Sequence, residues 1–219
     1  MIRKYLLIVY PWFPIVGLGL YLMVFPFAAS HYPGGSINIP QDQGYSFFHN
    51  FLCDVMNPTT PTGVVNTGRP LAIVSHLILS FAMISFFYLL PKIFDHQNRR
   101  TQMIRWFGML TMFVFVFMYT PHHDYIVTAT GILGTMALVP FFIEVQRSDR
   151  VSLRRLAYVC YTLSIIVFFI FETKIGFYYL PMLQKITFVF DAWWVVWVSL
   201  IVLARNRAHL GWQVSPSRG

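Results

Sequence analysis

Hydrophobic residues run along this chain in long blocks rather than in alternation. Six blocks approach or exceed 20 residues, at about residues 5–29, 70–90, 103–121, 125–144, 153–172 and 183–204. A hydrocarbon core of about 30 Å takes roughly 20 apolar residues of helix to cross. Backbone amides find no water there, so each block is expected to be helical. The period-two pattern of a membrane β-barrel is absent. The pattern predicts an all-α, polytopic membrane protein: a six-transmembrane-helix bundle in one domain spanning 1–219, with a long loop at 30–69.

Composition agrees with a lipid setting. Hydrophobic residues make up 57% of the chain and charged residues 11%, against about 25% charged in an ordinary soluble domain. Of 16 Lys and Arg, only Arg69, Lys174 and Lys185 fall in segments on the side of the 30–69 loop. The other thirteen, from Arg3 and Lys4 to Arg218, fall on the opposite side. By the positive-inside rule both termini are cytoplasmic and the loop is extracytoplasmic. Net charge of +8 then reads as a topology signal, and nucleic acid is not expected as a partner. A bacterial inner membrane is the favoured location. The first block is longer than a signal-peptide core and is interrupted by Pro11, Pro14 and Pro26, so it reads as a retained, kinked span. Cys53 and Cys160 fall at different depths and are expected to be free.

The segment 30–69 is rich in Gly, Pro and Asn, yet carries Tyr45, Phe47, Phe48, Phe51 and Leu52. A short helix over Phe47–Met56 folded onto the bundle or the membrane surface is expected to shelter them. Loops of this length tend to be lids or binding segments.

Ionisable groups gather on the loop side. His76 falls about 9 Å into the second span and Asp191 about 7.5 Å into the sixth, at 1.5 Å per residue. His122, His123 and Asp124 form the tip between spans three and four, which must be antiparallel neighbours; Glu172 closes span five, and Asp54 and His49 lie in the loop. A charge inside a membrane costs at least about 2.5 kcal/mol, so such groups usually face one another or a cavity. Two chemistries suit them. His76, His123 and Asp191, with Glu172 or Asp54 as a further group, could hold a divalent metal such as zinc. Without metal, His76, His123, Asp191 and Asp54 could exchange protons as acid and base. No zinc signature spacing is present, and no other cofactor site is expected.

Plainer readings stand beside these. His76 could be a neutral histidine bonded to Ser75, Ser80 or a backbone carbonyl, and Asp124 the N-cap of span four. Glu144 reads as an interfacial residue, and Trp193, Trp194 and Trp197 as packing groups. Gly131 and Gly134 offer a small-residue face for close helix approach.

The stretch Asn50-Phe51-Leu52-Cys53-Asp54 with Asn57-Pro58, the His123-Asp124 pair, Gly131, and Asp191-Ala192-Trp193 together give a layout that resembles the Frag/DRAM/Sfk group and related six-span bacterial proteins. The resemblance implies a role in lipid remodelling or lipid homeostasis, with Asp54, His123 and Asp191 as recurrent polar positions. Cys53, where a Ser often stands, and the extra His122 depart from the group. Two functions remain open. One is hydrolysis or transfer at a lipid headgroup or acyl linkage. The other is a noncatalytic lipid-binding protein, small transporter or assembly partner. Membrane lipid is the expected partner in both, with a protein partner or a second copy compatible with either.

Overall fold

The computed structural model describes residues 2–210, with side chains from Tyr5 onward, so Arg218 lies outside the described residues. Among the described residues seven α-helices follow one another: α1 Ile2–Val9, α2 Trp12–Ser30, α3 Arg69–Leu89, α4 Arg99–Phe115, α5 His123–Gln146, α6 Val151–Thr173 and α7 Leu180–His209. Six of them, α2 to α7, are long and apolar enough to cross a membrane. Among the described residues there is no β-strand, only two isolated bridges in the long loop.

Local chemistry sets the boundaries. The first apolar block breaks at Tyr10–Pro11, because proline cannot supply the amide a continuous helix needs there. Asn98 caps α4: its side chain accepts from the Thr101 amide, while the Thr101 hydroxyl accepts from the Asn98 amide. Lys174, with φ of 60°, and Gly176 reverse the chain after α6. Pro181 occupies the first turn of α7, where its missing amide costs nothing. At 30 residues α7 is about 45 Å long, so it extends beyond a hydrocarbon core of about 30 Å. Asp124 does not cap α5 as the sequence suggested. His122 holds that position, and Asp124 sits within the first turn, where a carboxylate favours the positive helix end.

The spans close into a ring. Each helix from α2 to α7 packs on the next, α7 returns to α2, and α3 and α7 also meet across the centre. Near the chain ends Asn206 donates to the Leu7 carbonyl at 2.6 Å, tying α1 to α7. Contacts are tight at small residues. A Cβ on Gly17 would lie 2.5 Å from the Ala82 Cβ, and one on Gly131 would lie 2.2 Å from the Phe168 ring. Gly131 thus serves the close approach expected of it, between α5 and α6. Gly134 does not: its nearest neighbour, Thr111 Cγ2, is 3.8 Å from a built Cβ.

Two apolar cores stack along the bundle. One, at the end holding the termini, includes Phe86, Leu89, Ile104, Phe141, Leu153, Cys160, Trp194 and Val198. The other, at the loop end, includes Ala28, Tyr32, Val55, Met56, Ala72 and Met118. Val55 and Met56 come from the loop, so the 30–69 segment is part of the fold: a lid whose apolar underside completes the second core.

Candidate functional site

The lid is held by side chains that capture backbone groups. Asn50 is fully buried; its Nδ2 donates to the Gly35 carbonyl at 2.7 Å and to Asp54 Oδ2 at 2.9 Å, while its Oδ1 accepts from the Ser46 amide. Asp54 Oδ2 also accepts from the Phe51 amide at 2.9 Å. Asn66 donates to the carbonyls of Val55 and Asn57. Side chains bonded to nearby amides offer the backbone an alternative to helix. The helix expected over Phe47–Met56 therefore does not form; only a single 3₁₀ turn, Asp54–Met56, appears. Phe47 and Phe48 are exposed rather than sheltered.

Lys185 fastens the lid to α7. It is 4% exposed, and its Nζ donates to the Asn50 carbonyl and to the Pro181 carbonyl. The ammonium lies 5.6 Å from the Tyr45 ring centre and 5.2 Å from that of Phe47, within cation–π range. Beside it, Gln184 Oε1 accepts from the Leu52 amide at 3.0 Å, and Asn38 donates to the Tyr178 carbonyl at 2.9 Å. A chain of polar contacts thus runs Lys185, Asn50, Asp54, crossing from helix to lid. Tyr45 Oη is buried next to it without a hydrogen-bond partner.

Burial pushes the Asp54 carboxyl above its ordinary proton affinity, while the Asn50 and Phe51 hydrogen bonds and the charges of Lys185 and His123 pull it back. Burial likewise raises the Cys53 thiol and the Tyr45 phenol. A carboxyl raised on folding contributes stability that is complete below its unfolded value, near pH 4, and lost as pH rises through the folded value. The lid is thus expected to loosen with rising pH above about 4, and Asp54→Asn to flatten that dependence. Proteolysis of the lid across pH 4 to 8 checks this.

His76 faces elsewhere. It is buried on α3, and its Nε2–H donates to the Phe115 carbonyl at 2.8 Å. That carbonyl lies where α4 gives way to the 3₁₀ turn Val116–Tyr119, so the bond ties α3 to the end of α4. The plainer reading, a histidine bonded to a backbone carbonyl, describes this geometry. His76→Leu is expected to cost about 1 kcal/mol by removing this α3–α4 hydrogen bond, with His76→Gln recovering part of it; thermal melts in detergent check the order.

The expected meeting of His76 and Asp191 does not occur. Asp191 lies against the Cys160 thiol on α6, and Cys160 belongs to the core at the termini end. His123 Nδ1–H donates to its neighbour Asp124 at 2.9 Å, and Glu172 accepts from Thr128 at 2.7 Å. Each member of the proposed metal set His76, His123, Asp191 and Glu172 is turned to a different partner. Among the described residues no three His, Cys, Asp or Glu side chains converge as a metal site. Of the expected groups, His123 lies closely enough to both Asp54 and His76 for its charge to act on each.

Sequence reasoning missed Lys185 and Asn50. Lys185 entered only as one of three basic residues on the loop side; its flanks, Leu183 and Ile186, were the available sign that it is not solvated. Glu144, read as interfacial, is buried and paired with Arg100 and Asn98. No family model, curated protein or solved structure matches this chain.

Proposed function

We propose that this multi-pass protein has its termini in the cytoplasm and its lid on the extracytoplasmic side of a bacterial inner membrane, where it binds lipid without covalent chemistry. The arginine and lysine bias supports the orientation. The observation that carries the noncatalytic reading is that the buried polar groups near the lid, Lys185, Asp54 and His76, are each satisfied by a local protein partner. Lys185 is occupied by carbonyls, Asp54 by amides and His76 by a helix end. Exposed aromatics, Phe47 and Phe48 on the lid, Tyr178 and Tyr179 just before α7 and Tyr125 in the first turn of α5, support contact with the interface, where such side chains settle. The likeness to the Frag/DRAM/Sfk group is consistent with this lipid role.

One observation favours a second reading, hydrolysis or transfer at a lipid headgroup. Asp54 has raised proton affinity and lies in the lid network beside the unpartnered Tyr45 Oη, which suits a proton donor. The two separate in one experiment. Purified protein is reconstituted in phospholipid vesicles and the lipids are followed by mass spectrometry. Retained lipid with no time-dependent product supports binding alone. A product that accumulates with wild type and is lost in Asp54→Asn overturns it.

A further inference from the structure

At the end of the bundle opposite the lid, a cavity of about 330 Å3 opens between the segment after α3, the α5–α6 turn and the last turns of α7. Its size falls at the lower end of small-ligand sites. The wall carries three arginines, Arg147, Arg150 and Arg205, and three carboxylates, Asp95, Glu144 and Asp149. Some are already used. Arg205 pairs with Asp95 at 2.8 Å and donates to the Lys92 carbonyl, and Glu144 pairs with Arg100. Arg147, Arg150 and Asp149 are exposed, and their charged ends have no hydrogen bond or ion pair among the described residues. Two guanidinium groups and one carboxylate are therefore left facing the opening within a four-residue turn.

A second groove, of about 450 Å3, shares Asp149 and Arg150 with the first and continues past Val151, Leu153, Trp197 and Ile201. It runs from the charged turn onto the apolar wall between α6 and α7. Arg150, the N-cap of α6, places no side chain on the first-turn amides, and no acidic residue sits in that turn. Those amides add donors for an anion at the same place.

We infer that this cavity and groove hold one zwitterionic phospholipid of the leaflet on the termini side. Its phosphate would meet Arg147, Arg150 and the α6 amides, its ammonium Asp149, and one acyl chain the groove along Trp197 and Ile201. The polar chamber leading into an apolar groove fits an amphiphile rather than a free ion. The groups left free in the wall, two guanidiniums and one carboxylate, fit a headgroup that carries both a phosphate and an ammonium. An anionic headgroup would leave Asp149 without a partner, next to two further carboxylates. This site lies at the other end of the bundle from the lid and does not rest on the reading given for the lid.

Dioctanoyl phosphatidylethanolamine, phosphatidylcholine and phosphatidylglycerol are titrated into the detergent-solubilised full chain, with binding followed by native mass spectrometry. The expected result is tighter binding of either zwitterion than of phosphatidylglycerol. The zwitterion's affinity should fall about tenfold in Arg147→Gln/Arg150→Gln, the scale of 1.4 kcal/mol. It should also fall in Asp149→Asn. The substituted side chains are exposed, and a thermal melt identical to wild type confirms that each variant is folded. Equal zwitterion affinity in wild type and the double arginine variant overturns the site. Phosphatidylglycerol binding as tightly as the zwitterions, with Asp149→Asn without effect on either, overturns the headgroup assignment.

Discussion

Replacing Lys185 by Met is expected to unfasten the lid at a cost of about 3 kcal/mol. The methionine fills nearly the same volume but donates nothing, so the buried Asn50 carbonyl loses its ammonium partner, while the Pro181 carbonyl keeps its bond in the α7 backbone ladder. An unsatisfied buried group costs about 1–3 kcal/mol, and Asp54 loses the Lys185 charge that acts on it. Cys53 reports the effect. It lies in the lid next to Asp54, and burial holds its thiol protonated, which keeps thiol chemistry slow. In a Cys160→Ser background, a membrane-impermeant maleimide should label Cys53 slowly in the otherwise wild-type protein. If labelling follows lid opening, the Lys185→Met variant should react at least about tenfold faster, since every 1.4 kcal/mol changes the open population tenfold. An unchanged rate would show that Lys185 does not hold the lid.

The second large effect is expected at Gly108. A Cβ there would lie 2.0 Å from Phe87 Cδ1 and 2.4 Å from its Cγ. Cγ is one rotatable bond from the backbone, so the ring cannot retreat without a change of rotamer or separation of α3 and α4. Overpacking of this kind costs about 1–3 kcal/mol, against a helix-propensity gain of about 1 kcal/mol for Ala over Gly. Gly108→Ala should therefore destabilise by about 1–2 kcal/mol. Gly134→Ala is the matched control. With its added Cβ in ordinary van der Waals contact with Thr111 Cγ2 at 3.8 Å, it should be neutral or stabilising by up to about 1 kcal/mol. Denaturant titration in mixed micelles measures both.

The spans were legible because one physical constraint, an apolar medium that tolerates no unpaired amide, writes itself along the sequence. The block at 153–172 became α6 Val151–Thr173 and the block at 125–144 became α5 His123–Gln146. The lid was legible only as a loop too apolar to be a linker. Its folding depends on Asn50, Asp54 and Asn66 reaching particular carbonyls and amides, and such contacts have no periodicity to read. The His76–Asp191 pairing failed for a different reason. Counting residues from a span's end fixes height along a helix but not which neighbour a side chain faces. His76 faces α4 and Asp191 faces α6. Lys185 was concealed by its use as one of three basic residues on the loop side, a count that carries no information on burial.

The claim on which the rest depends is that Lys185 on α7 and Asp54 in the lid stabilise each other through Asn50. A double-mutant cycle of Lys185→Met and Asp54→Asn, read as unfolding free energy in one detergent at neutral pH, tests it directly. The network predicts that the two changes are coupled by about 1 kcal/mol or more. Effects that add to within about 0.3–0.5 kcal/mol would mean that the two residues act independently and that the lid is held by other contacts.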